Sequence, residues 1–262
     1  MTDNPQILNL SCHMGNDNLF HFYRYSDMGN PLGRTELGGT FLSTLNRRKC
    51  FNNFIDTFGI GNLIVFADNV NDATVEFIRS KGVTNILRTS LGNTNSFVYL
   101  INIALSILNP EDILSIHEDD YIFTKDARQY IFEGIEIGDY VSLYDSLDKY
   151  KDTDKGGYNP FIYGGGEDCK VILGKTSHFK TTNAVTGSFA VKIKTLQEDY
   201  DVIMKHCQPH FPYPQDFLLC RELITQRNRR IIVPLPGKSS HVGLELSPFV
   251  NWESIVKNLK ED

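Results

Sequence analysis

The stretch Ile113-Leu114-Ser115-Ile116-His117-Glu118-Asp119-Asp120 governs how the rest of the chain is read. A short apolar run of this kind reads as a buried strand, and it passes into three consecutive acids with no turn residue between. Carboxylates two residues apart on extended chain point the same way. Glu118 and Asp120 are therefore expected to share a hard divalent cation, Mn2+ or Mg2+, which takes oxygen ligands and keeps positions open for phosphate oxygens. The alternative is a solvated acidic strand end.

Toward the N-terminus, residues 21–25 (His-Phe-Tyr-Arg-Tyr) read as a strand, followed by a polar, glycine-rich loop over 26–39 and helical spacing over 41–58. The run Asn62-Leu63-Ile64-Val65-Phe66-Ala67 is a second buried strand. Asn71-Asp72-Ala73-Thr74 supplies N-cap chemistry for a helix through Ser80 that Gly82 closes. Residues 84–88 form a third strand, and Asn93-Thr94-Asn95-Ser96 caps a helix over 97–108. Strands alternating with helices predict a parallel sheet with right-handed crossovers, whose ligands bind beyond the carboxyl ends of the strands. Asp68 and the acids at 118–120 both fall at such ends.

Toward the C-terminus the pattern is mixed. A helix over 127–134, a strand over 139–144, several strands over 170–192 with a turn near Gly187, helices over 195–207 and 216–227, a strand over 230–234 and a short amphipathic helix over 252–259 are expected. The polar, glycine-rich stretch 146–168 is either an active-site lid or a surface loop.

Three more positions carry candidate chemistry. Asp68 closes its strand, where a carboxylate can accept the N3–H of a uracil or thymine ring or simply form a turn before a helix. His241, between Ser240 and Val242-Gly243 on a loop after a strand, can complete a metal site or meet a diphosphate. Lys238 offers a point charge to the same phosphates. Asp216 opens a helix behind Tyr213-Pro214-Gln215 and is either its N-cap or a general base. Gly237-Lys238-Ser239 is no P-loop, because the glycine that should precede it is missing.

Bulk properties narrow the class. The chain has 262 residues, 41% of them hydrophobic, enough for one large core. It lacks an apolar run of the roughly 20 residues a membrane span needs and shows no secretory pattern at its start, so a cytoplasmic location is expected. Five scattered cysteines without CxxC spacing read as reduced thiols. A net charge of −6, with basic tracts only at 46–49 and 227–230, disfavours a nucleic-acid partner.

With these residues in hand, the chain resembles the GT-A-fold nucleotide-diphospho-sugar glycosyltransferases, most nearly the large inverting family 2 type. Phe66-Ala67-Asp68-Asn69-Val70-Asn71-Asp72-Ala73-Thr74 is similar to the family's second strand and the turn whose acid contacts uracil. Arg88 with Leu100-Ile101-Asn102-Ile103-Ala104-Leu105 resembles its third strand and following helix. Glu118-Asp119-Asp120-Tyr121-Ile122-Phe123 stands where the family has its DxD motif, with Glu118 for the first acid and Asp120 for the metal-binding last one. Gln215-Asp216-Phe217-Leu218-Leu219 with Arg221 is similar to the ED-x-x-L motif that bears the base, with Gln215 replacing its Glu. His241 matches the downstream histidine that faces metal and diphosphate. The likeness runs over about residues 20–245 and is strongest up to 126.

The resemblance implies an α/β fold of GT-A type: a Rossmann-like, mostly parallel central sheet flanked by helices, with a smaller mixed sheet on the acceptor side. It implies one domain over residues 1–262, with a nucleotide-sugar-binding half at about 20–126 and an acceptor-side half at about 127–262. The implied activity is metal-dependent transfer of a sugar from a UDP- or dTDP-sugar to a hydroxyl of a glycan, glycoprotein or small molecule. Implied nucleotide contacts are Arg24, Tyr25, Asp68, Arg88, Asp119 and Lys238; metal ligands are Glu118, Asp120 and His241; Asp216 is the base. Competing readings are a sugar-nucleotide pyrophosphorylase, for which Leu32-Gly33-Arg34-Thr35 is a poor phosphate loop, a metal-dependent nuclease, and a non-catalytic nucleotide-sugar binder.

Overall fold

The computed structural model describes residues 17–28, 43–242 and 245–259. The glycine-rich loop expected over 26–39, Leu32-Gly33-Arg34-Thr35 within it, and Cys12 lie largely or wholly outside these residues.

In chain order the first half holds β1 (Leu19–Ser26), α1 (Arg47–Phe58), β2 (Leu63–Asp68), α2 (Asp72–Ser80), β3 (Ile86–Thr89), α3 (Asn93–Ile107) and β4 (Ile113–Glu118). The second half holds β5 (Tyr121–Phe123), α4 (Ala127–Ile135), β6 (Tyr140–Val141), β7 (Ile162–Tyr163), β8 (Gly166–Glu167), β9 (Val171–Leu173), β10 (His178–Thr181) and β11 (Ala190–Lys192). After these come α5 (Ile193–Glu198), α6 (Tyr200–His206), α7 (Asp216–Arg227), β12 (Ile231–Leu235), β13 (Ser239–His241) and α8 (Trp252–Lys257).

Side-chain alternation along the first strands sorts the layers. Leu19, Tyr23 and Tyr25 of β1 and Leu63, Val65 and Ala67 of β2 join Phe51, Phe54 and Phe58 of α1 and Phe77 of α2 in one buried cluster. The intervening Phe20, Phe22, Ile64 and Phe66 meet α3, α5, α6 and α7 in another. Each strand is thus covered on both faces, which is why these runs are continuously apolar. Phe54 is fully buried, and Phe54→Ala belongs to a class that costs about 3–5 kcal/mol.

Among the described residues the main sheet has nine strands, in the order β3-β2-β1-β4-β11-β6-β12-β10-β9. Only β11 and β10 run against the rest. The mixed strands continue the parallel half as one sheet, and two separate two-stranded sheets, β13-β5 and β7-β8, lie outside it. The crossover helices change face between the β2–β3 and β3–β4 connections, so the strand order reverses between β1 and β4. That reversal opens a crevice at the carboxyl ends of these two strands.

Elsewhere the local pattern was overruled by long-range partners. The helix expected over 195–207 breaks at Asp199, whose buried carboxylate takes a fork from Arg229 (Nε 2.8 Å, Nη2 3.0 Å) and the Tyr140 hydroxyl at 2.8 Å. The strand expected over 139–144 shortens to two residues, because Tyr144 leaves the main sheet to bridge Ser239. α3 starts at Asn93, earlier than its cap-like residues suggested: Gly92, with φ 79°, is its N-cap residue, and Arg24 holds the Asn93 carbonyl.

Candidate active site at the carboxyl ends of the parallel strands

The strands β1 and β4 bring Arg24 level with Glu118. After Glu118 the chain turns at Asp119-Asp120 and returns as β5, which pairs with β13. The three acids are therefore not on one extended run: Glu118 ends β4, Asp119 and Asp120 make the turn, and each side chain has its own partners.

Glu118 turns to Arg24, whose Nη1 donates to Oε1 at 2.6 Å. The same guanidinium donates to the Asn93 carbonyl and Oδ1, both at 2.7 Å, and to Ser96 Oγ at 3.1 Å, fastening β4 to the start of α3. The carboxylate lies against Gly187, where an added Cβ would sit 3.1 Å from Oε1. Asp119 accepts the Ser26 amide at 2.7 Å and Arg47 Nε at 3.1 Å. Burial above all, and then the neighbouring Asp120, push its carboxyl up to about 7 against the pull of Arg47.

Asp120 faces the short antiparallel pair. Its Oδ2 is 3.3 Å from His241 Nε2, and its Oδ1 is buried without a hydrogen-bond partner. The Val242 amide donates to its carbonyl at 2.9 Å, and the His241 ring packs on Tyr121 at 4.8 Å. His241 lies on β13, not on the loop expected from sequence; register with Tyr121 is what aims it at Asp120.

Asp216 begins α7 and accepts the Phe217 amide at 2.9 Å. Burial raises its carboxyl, while backbone donors and the buried Lys149 pull it back. Glu118 feels the whole group: burial raises it, Arg24 lowers it, Asp120 raises it, His241 lowers it and Asp216 raises it. Acids from β4, from the turn after it and from α7 thus share one electrostatic field with Arg24 and His241.

Among the described residues, no group of three or more His, Cys, Asp or Glu side chains forms a metal cage. Asp120 and His241 nonetheless fit a divalent cation that draws its other ligands from phosphate, because a buried carboxylate oxygen without a partner is costly unless something binds it. Glu118 is tied to Arg24 through Oε1.

Other expected contacts lie elsewhere. Asp68 accepts Thr89 Oγ1 (2.7 Å), the Leu91 amide (2.6 Å), the Gly92 amide (2.9 Å) and Asn69 Nδ2 (2.8 Å). Both oxygens are filled, so no acceptor position is left for a ring N–H; the carboxylate ties the β2 end to the loop that starts α3. Arg88 clasps the neighbouring loop through Asp72 Oδ1 (2.5 Å) and the Val70 carbonyl (2.8 Å). Lys238 sits at the other end of β13 from His241, roughly 10 Å along the strand. There it donates to Asp126 at 2.9 Å and covers the Tyr130 ring, away from the acids. Tyr25 is buried but lines a cavity of about 360 Å³ with Asp27, Leu45, Asn46, Arg47, Arg48 and Thr74.

Arg47 is the site residue that sequence reasoning missed. It stands in the basic tract Asn46-Arg47-Arg48-Lys49, whose composition by itself signals no more than affinity for a polyanion. Gly187, which gives Glu118 its room, had no signal beyond a turn.

No family model matches the chain, and no curated protein matches it in sequence. Among solved structures, GalNAc-T7, in a crystal structure with UDP, GalNAc and Mn2+, aligns at 12% identity over 85% of this chain, with a TM-score of 0.52. The fold is of the GT-A type. This chain spans less than half of that one, 42% of its length. An inositol-1-phosphate CTP transferase from T. maritima aligns at 11% identity over 95% of this chain and 98% of its own, with a TM-score of 0.48. A 4-diphosphocytidyl-2C-methyl-D-erythritol synthase from Anaerococcus prevotii DSM 20548 aligns at 12% identity over 91% and 93%, with a TM-score of 0.46. No helix among the described residues is long and apolar enough to cross a membrane.

Proposed function

We propose that this chain is a metal-dependent glycosyltransferase that moves a sugar from a nucleoside diphosphate donor to a hydroxyl acceptor with inversion. UDP- and dTDP-sugars are the first donors to test. The observation that carries this reading is the buried, unpartnered Asp120 oxygen beside His241, in the same field as Asp216 and at the crevice between β1 and β4.

Asp120 and His241 are the residues that hold the cation. When bound there, Mn2+ or Mg2+ supplies positive charge to the departing diphosphate. Arg47 and Arg48, beside Tyr25 in the cavity at the end of β1, receive the nucleotide. The Arg24–Glu118 pair fixes the floor between them. Asp216 takes the proton of the acceptor hydroxyl as that oxygen attacks the anomeric carbon from the face opposite the diphosphate. Its burial keeps the carboxylate more basic than one in water, which suits that task.

The test is a panel of nucleotide sugars incubated with Mn2+, reading release of nucleoside diphosphate with and without acceptor. Asp216→Asn is expected to lower turnover about 10²–10⁴-fold while leaving UDP and Mn2+ binding nearly intact. The product linkage, by NMR, is expected to carry the anomeric configuration opposite to the donor's. Pyrophosphate release from CTP or UTP with a sugar phosphate, and no diphosphate release from any nucleotide sugar, would replace this reading with nucleotidyl transfer.

A further inference from the structure

Two lysines are buried among the described residues, and they are partnered differently. Lys180 of β10 is 2% exposed and meets the carboxylates of Asp145 and Glu167, each at 2.9 Å. Lys149, in the 3-10 turn Leu147–Tyr150 after β6, is 5% exposed and meets only neutral oxygens. Its Nζ donates to Thr182 Oγ1 at 2.5 Å and to the Ala184 carbonyl. Glu167 is the acid behind them: its Oε1 is taken by Lys180, and its Oε2 accepts the Thr182 hydroxyl at 3.0 Å and the Asn183 amide at 3.1 Å. The Thr182 hydroxyl thus stands between Glu167 and Lys149. Direct contact with carboxylates offsets the buried charge of Lys180, and Lys149 has no such contact.

The residues that Lys149 holds lead to the proposed base. Val185, next after Ala184, donates its amide to Cys220 Sγ at 3.4 Å, and its carbonyl accepts the thiol at 3.8 Å. Cys220 follows Asp216 by one turn of α7, so the two side chains lie on one face of that helix. That face packs on Ala184-Val185, the stretch to which Lys149 is bound. The turn after β6, the segment between β10 and β11 and the start of α7 are in this way brought to one place.

We propose that Lys149 is a positioning residue for Asp216: its buried ammonium is the countercharge against which the carboxylate of the proposed base is held. This rests on the transferase reading above. A carboxyl buried without a cation keeps its proton, and a protonated Asp216 cannot take the proton of the acceptor hydroxyl. Burial raises Asp216, the Phe217 and Asp216 amides lower it, and Lys149 is the cation that lowers it further. The other titratable groups around it supply no positive charge. Glu118 is an acid, and Cys207 and Cys220 are thiols that burial pushes up to about 12. Arg24, which also acts on Cys207, is committed to Glu118, Asn93 and Ser96. Lys149 is itself lowered by burial, raised by Glu167, Asp148 and Cys220, and lowered by Lys180.

The experiment reads turnover and side-chain titration on the full chain. Release of UDP from UDP-glucose, UDP-galactose and UDP-N-acetylglucosamine with Mn2+ is followed against pH. Lys149→Met is expected to move the acidic limb of that profile to higher pH, lowering turnover on the limb about tenfold, the scale of one nearby opposite charge. Lys149→Arg keeps the charge and is expected to restore the parent limb. Asp216→Asn, a change at a half-buried helix start, tests the same pair from its other end and does not depend on Lys149→Met folding. Because coupling between two charges is reciprocal, loss of the carboxylate is expected to let Lys149 give up its proton at lower pH. The readout is the 13Cε shift of labelled lysine, with the Lys149 signal assigned by its loss in Lys149→Arg. A limb unmoved by Lys149→Met, a limb moved as far by Lys149→Arg, or a Lys149 signal indifferent to Asp216→Asn overturns the proposal. A shifted Lys149 signal without UDP release from any donor removes the transferase reading and leaves the pair. UDP release with both limb and signal unmoved removes the pair alone.

Discussion

The half of the molecule from β1 to β4 and the half from β5 to β13 secure their loops by opposite means. In the first, the loops after β2 and β3 are short and are fixed at the rim: Asp68 collects backbone and hydroxyl donors, and Arg88 pairs with Asp72 largely in solvent. In the second, a long polar segment is fixed from inside. Lys180 is 2% exposed and meets Asp145 and Glu167, each at 2.9 Å, and the Tyr150 hydroxyl at 2.9 Å. Buried charges of this kind cost desolvation and are a poor source of net stability, yet once in place they leave the segment one arrangement. The loops after β2 and β3 are therefore tied close to their strand ends, whereas the segment before β9 is tied by buried ions drawn from separate stretches of the chain.

The strongest way to break this contrast is to remove the buried cation. Lys180→Met strands two buried carboxylates and is expected to cost about 3–5 kcal/mol in denaturant unfolding. The matching change in the β1–β4 half, Arg88→Met, removes an exposed pair and is expected to cost no more than about 1 kcal/mol. Equal losses would show that both halves rely on the same kind of tie.

A smaller effect sharpens the role of Asp68. Asp68→Asn turns an amide donor toward the Leu91 or Gly92 N–H and is expected to destabilise by about 1–3 kcal/mol. The preference between UDP and ADP, measured by calorimetry, is expected to stay as in the parent. A variant that folds normally but loses that preference would restore the acid to the nucleobase.

The gentlest probe is acid. His21 sits in the core with Nδ1 3.1 Å from His117 Nε2, and burial, with Arg128 second, lowers it to about 3 from 6.5. The folded chain keeps it neutral while the unfolded chain takes up a proton below 6.5, so its effect on stability appears as pH falls through 6.5 and grows until about 3. His21→Gln is expected to flatten the fall of unfolding free energy between pH 6 and 4 by about 1.4 kcal/mol per pH unit. An unchanged slope would mean that His21 is not held neutral.

The layout of the β1–β4 half was legible because its signals are local. Apolar runs at 62–67 and 113–116, caps at Asn71, and acids where those runs stop place Asp68 and Glu118 at strand ends without any knowledge of partners. The chain order of Asp120, Asp216 and His241 was legible too. What each acid faces was not. Glu118 is held by Arg24, 94 residues away; Asp68 fills both its oxygens; and Lys238 follows β13 to Asp126.

By itself, then, the sequence determined the alternation of strands and helices, because side-chain periodicity is a property of neighbouring residues. Only the tertiary structure decided that β5 leaves the main sheet at Asp119-Asp120, that the mixed strands extend the parallel sheet, and that Glu118 pairs with Arg24. Those choices depend on groups brought together from distant parts of the chain, where burial and geometry, and not local pattern, select the partner.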